Sequence, residues 1–345
     1  MPETPAARTV ATDRRSAGPA ATHAAKAPAR LRLLRAGMRA LSMLAPNLAV
    51  RAVDRLWFTP THAPLRPEAQ AFLAGGERLH LRVDGREIAG WSWGAGPAVL
   101  VLHGWGGHSG QMQPLAEALV AAGLRAVAID GPGHGASQTR RPGDRRSSFI
   151  EVADALRAVA AELGPLAGLI AHSGGAAAVG LAVREGWTPP PRLVFLAPFV
   201  HPAAALEPFG RHLGVTPRVM AAFARHVERR FGRGWAEFDV AALPTARAVP
   251  PLLIVHDQED AEVSCEGSHD LAQAWPQARL VLTRGLGHRR LLRDAAVVAR
   301  AVDFVRGQAA TAAPAIATHP VPADARGELD RAFESSGLRG VGSAR

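Results

Sequence analysis

Two rhythms of apolar and polar residues divide this chain. From Arg78 onward, short apolar runs of strand length alternate with longer stretches of helical period. Leu79–Val83 and Glu87–Trp93 alternate in polarity around Asp84-Gly85, a pair suited to the positive φ angles of a two-residue hairpin turn. Ala98–His103, Arg125–Asp130, Gly168–His172, Arg192–Ala197, Leu252–His256 and Arg279–Leu282 read as buried strands. Gln111–Ala122, Phe149–Leu163, Gly174–Glu185 and Ser264–Ala274 read as the helices between them, and a last helix runs from about Arg290 to Arg306. This alternation predicts the α/β class, a mostly parallel sheet with helices on both faces.

Two intervals depart from that rhythm. Residues 199–249 are too long for one crossover and predict a small helical cap. There Thr216 can cap a helix, Pro217 suits its first position and Gly232 its end, while Val219, Met220, Phe223, Val227 and Phe231 form one apolar stripe. Residues 31–57 predict two short amphipathic helices divided at Pro46. Leu31, Leu34, Met38 and Leu41 share a face, and Arg32, Arg35 and Arg39 lie mostly off it. An arm packed on the domain with its arginines in water is the preferred reading, because such helices are common in soluble proteins. A weak contact with a membrane surface is the alternative. The expected organisation is then a disordered segment 1–30, the arm 31–57, a domain 58–307 carrying the cap, and a disordered tail 308–345.

Composition narrows the picture. Of 345 residues, 48% are hydrophobic, enough for a large core, yet no apolar run approaches the roughly 18–20 residues that span a bilayer. The net charge of +10 is uneven: residues 1–57 hold ten basic and three acidic residues. The rest is nearly balanced, which argues against a nucleic-acid-binding body. Cys265 is the only cysteine, so an intrachain disulfide and thiolate metal sites are excluded, and a cytoplasmic location is expected. Oligomeric state is not readable from these features.

Candidate chemistry lies in the loops after the strands. Ala171-His172-Ser173-Gly174-Gly175 links a strand to a helix and matches G-x-S-x-G with alanine first. Small flanking residues are what a strained turn presenting a serine hydroxyl requires. Leu102-His103-Gly104-Trp105-Gly106-Gly107 is a glycine loop able to turn backbone N–H groups toward a ligand. His256-Asp-Gln-Glu-Asp260 and Gly285-Leu-Gly-His288 follow successive strands, so a carboxylate and an imidazole can meet over Ser173. Asp257, Glu259 and Asp260 compete for the acid role. Gly131-Pro-Gly-His-Gly-Ala136 fits a dinucleotide pattern, but a Pro/Gly/Arg loop follows it rather than a helix. His103, His108 and His134 lack ligand spacing, so no metal is expected. The cap arginines Arg211, Arg218, Arg225, Arg229, Arg230 and Arg233 are expected to form a solvated face.

These motifs, with Asp130-Gly-Pro-Gly-His-Gly-Ala-Ser137, resemble the α/β-hydrolase superfamily in its esterase- and lipase-like branch, over about residues 78–307. The resemblance implies Ser173 as nucleophile, His288 as general base and Asp260 as orienting acid. It also implies an oxyanion hole from the N–H groups of Trp105 and Gly174, no cofactor, and an acyl-enzyme route on a small-molecule ester. Ala171 and Asp257 depart from the usual glycines. A thioesterase, an acyltransferase or a cofactor-free perhydrolase would use the same triad, and a binding protein retaining the fold is the non-enzymatic alternative.

Overall fold

The computed structural model describes residues 29–139 and 143–307. The disordered segments expected at 1–30 and 308–345 lie outside them, except that Ala29 and Arg30 already belong to the first helix. The chain opens with α1 (Ala29–Leu44) and α2 (Pro46–Trp57), divided where Pro46 takes the first position of the second helix. A short α3 (Pro67–Ala74), which the sequence pattern did not signal, leads to β1 (Glu77–Val83) and β2 (Arg86–Trp93). Asp84 and Gly85 join these strands with φ of 48° and 76°, as the hairpin reading requires.

Then follow β3 (Ala98–Leu102), α4 (Gln113–Ala121), β4 (Arg125–Ile129), α5 (Phe149–Leu163), β5 (Leu166–His172), α6 (Gly174–Arg184) and β6 (Leu193–Leu196). The cap contributes α7 (Leu206–Leu213) and α8 (Pro217–Phe231). The chain returns through β7 (Leu252–Asp257), α9 (Glu266–Ala274), β8 (Ala278–Thr283), a one-turn α10 (Gly287–Arg290) and α11 (Ala295–Val305). The last long helix starts at Ala295 rather than near Arg290, because the Asp294 carboxylate accepts from Val297 N at 3.0 Å and sets its start.

The eight strands lie in the order β1-β2-β4-β3-β5-β6-β7-β8. β1–β2 and β2–β4 are antiparallel and every later pairing is parallel. Alternate residues of the inner strands face opposite layers. Leu100, Leu102 and Leu169 pack with α5 and α6, whereas Val99, Val101 and Ile170 pack with α4 and α11. Strand order reverses around β3, so the loops after β3 and β5 diverge above the sheet, where α/β folds form their crevice.

A third apolar core joins arm to cap. Met38, Ala49 and Val53 pack against Leu213, Val219, Phe223 and Val227. The Trp57 ring lies 4.9 Å from Phe209 and 5.7 Å from Phe223. Buried Asp54 pairs with Arg230 at 3.0 Å, and Arg233 pairs with Glu185, at the end of α6, at 2.5 Å. The cap arginines are therefore not all a solvated face: two of them fasten the cap. Thr216 stands at the start of α8, but its hydroxyl makes no capping bond, and Gly232 closes the helix at φ 63°.

Candidate active site

Ser173 occupies the step from β5 into α6 with φ 51° and ψ −120°, a conformation L residues avoid. Its N–H donates to Leu196 O at 2.9 Å and its carbonyl accepts from Phe199 N at 3.1 Å, so the flanking chain holds the strain. The glycines around it are steric requirements. A Cβ on Gly175 would stand 2.7 Å from His103 O, and one on Gly104 would stand 2.9 Å from Ser173 Cβ. Ala171 is tolerated because its methyl points into the core and is fully buried there.

His288 begins the short α10 after β8. Its Nδ1–H donates to Asp260 Oδ2 at 2.7 Å, and both side chains are almost wholly buried. Asp260 Oδ1 accepts from the backbone N–H groups of Glu262 and Val263 at 2.8 and 2.9 Å. Burial pushes the Asp260 carboxyl upward, but hydrogen bonds from His256 and His288 outweigh it and hold the group ionised, well below the usual carboxylate range.

The rival acids go elsewhere. Asp257 is fully buried and accepts from Thr283 Oγ1 at 2.6 Å and Leu286 N at 2.9 Å, anchoring the loop that carries His288. Glu259 lies 3.8 Å from Arg284 at the surface.

Two imidazoles that the sequence reading passed over complete the cluster. His256 Nε2 stands 3.2 Å from Asp260 Oδ2 and 3.1 Å from Val263 O. A carbonyl only accepts, so Nε2 carries a proton, and Nδ1 lies 2.7 Å from Ser268 Oγ. His172 donates from Nε2 to His288 O at 3.0 Å, its ring centroid 4.7 Å from that of His288. Burial, then the neighbouring His288, drives His172 well below the ordinary imidazole value. Their positions were the available signals: one ends β7 four residues before Asp260, and the other precedes Ser173.

The glycine loop completes the site. A Cβ on Gly174 would lie 3.4 Å from Trp105 N, so these two N–H groups border one space. Among the described residues, neither donates to a backbone acceptor in another part of the fold. His103 ties the loop down: Nδ1–H donates to Gly104 O at 2.7 Å and Nε2 accepts from Gly131 N at 3.0 Å. Asp130 accepts from Ser109 N and Oγ and from Ala136 N, so the turn after β4 is a brace for the loop. A cavity of about 480 Å³ opens over Ser173 and His288, walled by Leu56 and Trp57 of the arm and by Phe199 and Phe209. Phe223 faces the arm–cap core instead.

This strand order, with a serine turn after β5, a carboxylate after β7 and a histidine after β8, decides the fold family. The chain has the α/β-hydrolase fold. The family described as "Serine aminopeptidase, S33" matches residues 95–237, which include Ser173 but neither Asp260 nor His288. An esterase of Pyrococcus furiosus superposes with a TM-score of 0.55 at 17% identity, over 72% of this chain and 99% of that chain. A putative lipase of Acinetobacter baumannii gives 0.53 at 17% identity, over 71% and 98%. An uncharacterized protein of Mycobacterium tuberculosis is 32% identical over 153 residues, 42% of this chain and 53% of that protein. The chain thus spans about half the length of this curated relative. Among its described residues no helix is long and apolar enough to cross a membrane.

Proposed function

We propose that this α/β-hydrolase cleaves carboxylic esters through an acyl-enzyme. The observation that carries the reading is the 2.7 Å pairing of His288 Nδ1 with a buried, ionised Asp260, while His288 and the strained Ser173 line one cavity. With Nδ1 protonated and held, Nε2 is the basic nitrogen of His288. It takes the Ser173 proton as Oγ attacks the acyl carbon. Trp105 N–H and Gly174 N–H receive the developing oxyanion, each such donor being worth about 3–4 kcal/mol in related reactions. His288 then protonates the leaving alkoxide, and water attacks the acyl-enzyme by the same base to release the acid.

The cavity wall of Trp57, Phe199 and Phe209 suits an apolar acyl or alcohol group. Its charged lining is Arg66, Arg289, Arg293 and Glu262, and Glu262 is engaged by Arg289 at 2.9 Å. That balance disfavours the protonated amine of a peptide N-terminus and favours a neutral or anionic substrate.

The test is a series of chromogenic esters of increasing acyl length on the parent and on Ser173→Ala. Loss of several orders of magnitude in kcat is expected, and comparable turnover by the variant would falsify the mechanism. Alcohol and peroxide acceptors competing with water for the acyl group separate hydrolase from acyltransferase and perhydrolase, and a matched thioester, whose leaving group is a thiol, separates esterase from thioesterase.

A further inference from the structure

Among the described residues, none covers the outer face of the arm. Where α1 meets α2, Leu44 is 85% exposed, Met43 65% and Leu48 53%, three large apolar side chains gathered at one corner. Their inward neighbours Met38, Ala49 and Val53 already fill the arm–cap core, so the corner has no further packing role in the fold. Such clustering is unlike the scattered apolar side chains of an ordinary surface.

Its charge has one sign. Between residues 29 and 66 the exposed ionisable side chains are Arg30, Arg32, Arg39, Arg51, Arg55 and Arg66. The one acid in that span, Asp54, is buried and held by Arg230. Arg35, Arg39 and Met43 follow at four-residue spacing, so cations and the apolar tip share a helix face. Beside them a cleft of about 630 Å³ between α1 and α7 is lined by Arg35, Arg39, Arg211 and His212, and by no carboxylate. Two of its arginines have protein partners: Arg35 donates to His212 O at 2.7 Å, and Arg211 pairs with Glu207. Residues 1–28 add Arg8, Arg14, Arg15 and Lys26 against Glu3 and Asp13.

We propose that this arm docks the protein on an anionic lipid bilayer, with Met43, Leu44 and Leu48 entering the acyl boundary and the arginines meeting lipid phosphates. Apolar side chains beside a cationic rim are the chemistry an anionic membrane surface binds. A second copy of this chain would bring its own arginines against these and meet repulsion. The surface also leads to the site: α2, which carries Leu48, brings the 39% exposed Leu56 to the cavity wall two turns later. A substrate residing in the bilayer would thus enter along the arm.

The experiment is co-sedimentation of the full chain with phosphatidylcholine vesicles, with and without phosphatidylglycerol. Binding to the anionic vesicles alone is expected. Leu44→Ser with Leu48→Ser should cut partitioning about tenfold, and Arg39→Gln with Arg51→Gln about fivefold per residue at low salt. None of these four residues lines the cavity over Ser173. Their variants should therefore keep the parental melting temperature and any turnover of a soluble short-chain ester. Ser173→Ala should bind vesicles like the parent, so failure of the ester reading and failure of docking register separately. Equal binding to neutral vesicles, undiminished binding by both double variants, or a dimer in solution that Leu44→Ser and Leu48→Ser dissociate would each overturn the proposal.

Discussion

Asp260 accepts four hydrogen bonds, two from backbone N–H groups and two from imidazoles. Donors on both oxygens remove the carboxylate's freedom, so His288 is presented in one tautomer and one orientation. Asp260→Asn should therefore lower kcat by about 10⁴ with little change in unfolding midpoint, since an amide oxygen can keep the backbone bonds while the imidazole tautomer is lost. Asp257→Asn should do the reverse. It weakens the anchor for Thr283 and Leu286, so thermal denaturation should show the larger loss and the surviving folded enzyme should turn over. Equal effects of the two substitutions on kcat would contradict this division of labour. His256→Leu should lower kcat about tenfold with KM unchanged, the worth of one hydrogen bond to a charged acceptor, whereas Ser268→Ala should have a smaller effect because Val263 O still fixes the ring. Steady-state kinetics on both variants checks this. The sequence left Asp257, Glu259 and Asp260 as rivals because all three follow the same strand. Only the bend after β7, which turns Asp257 inward and Asp260 toward β8, separates them, and that bend has no local pattern.

At the scale of elements, strands and crossover helices were legible because burial on both sheet faces writes continuous apolar runs. Gly174–Arg184 and Phe149–Leu163 fall where the period places them. What periodicity could not show was the partner of each amphipathic face. The stripes of α1, α2 and α8 each announce a buried side, and none says that they bury one another. This joint core makes the arm a wall of the cavity. Phe223→Ala, fully buried against Trp57, should cost about 3–5 kcal/mol if cap and sheet unfold together. Because Trp57 leans on Phe223 and Phe209 on Trp57, KM for long-chain esters should rise while KM for acetates changes little. An ester length series on this variant, with an unfolding curve, decides it; a uniform KM change would mean that Phe223 does not shape the wall.

For the whole molecule, the burial of several imidazoles makes stability depend on pH. Burial lowers His134 to about 3, and it lowers His103 and His172 as well. In the unfolded chain each titrates near 6.5. The folded values are depressed, so below pH 6.5 the unfolded state binds more protons, and stability falls as pH falls. Each such group subtracts up to about 1.4 kcal/mol per pH unit once its unfolded form is charged. Asp260 acts in the same direction at lower pH: its stabilisation is present above the unfolded carboxylate value near 3.9 and disappears as pH falls below it. Urea unfolding between about pH 6.5 and 5 should show a steadily falling midpoint, and a flat profile there would refute the assignment of neutral buried rings.

The chain leaving α2 passes directly against the glycine loop. Ala63 N donates to Gly106 O at 2.9 Å, and Gly106 lies so near Thr61 that an added Cβ would come within 2.1 Å of Thr61 O. Gly106 is the residue after Trp105. A tether pinned at that peptide transmits tension: any force lifting the two leading helices pulls first on the proposed oxyanion donor, so detachment of the front of the molecule and misalignment of its chemistry would be one event.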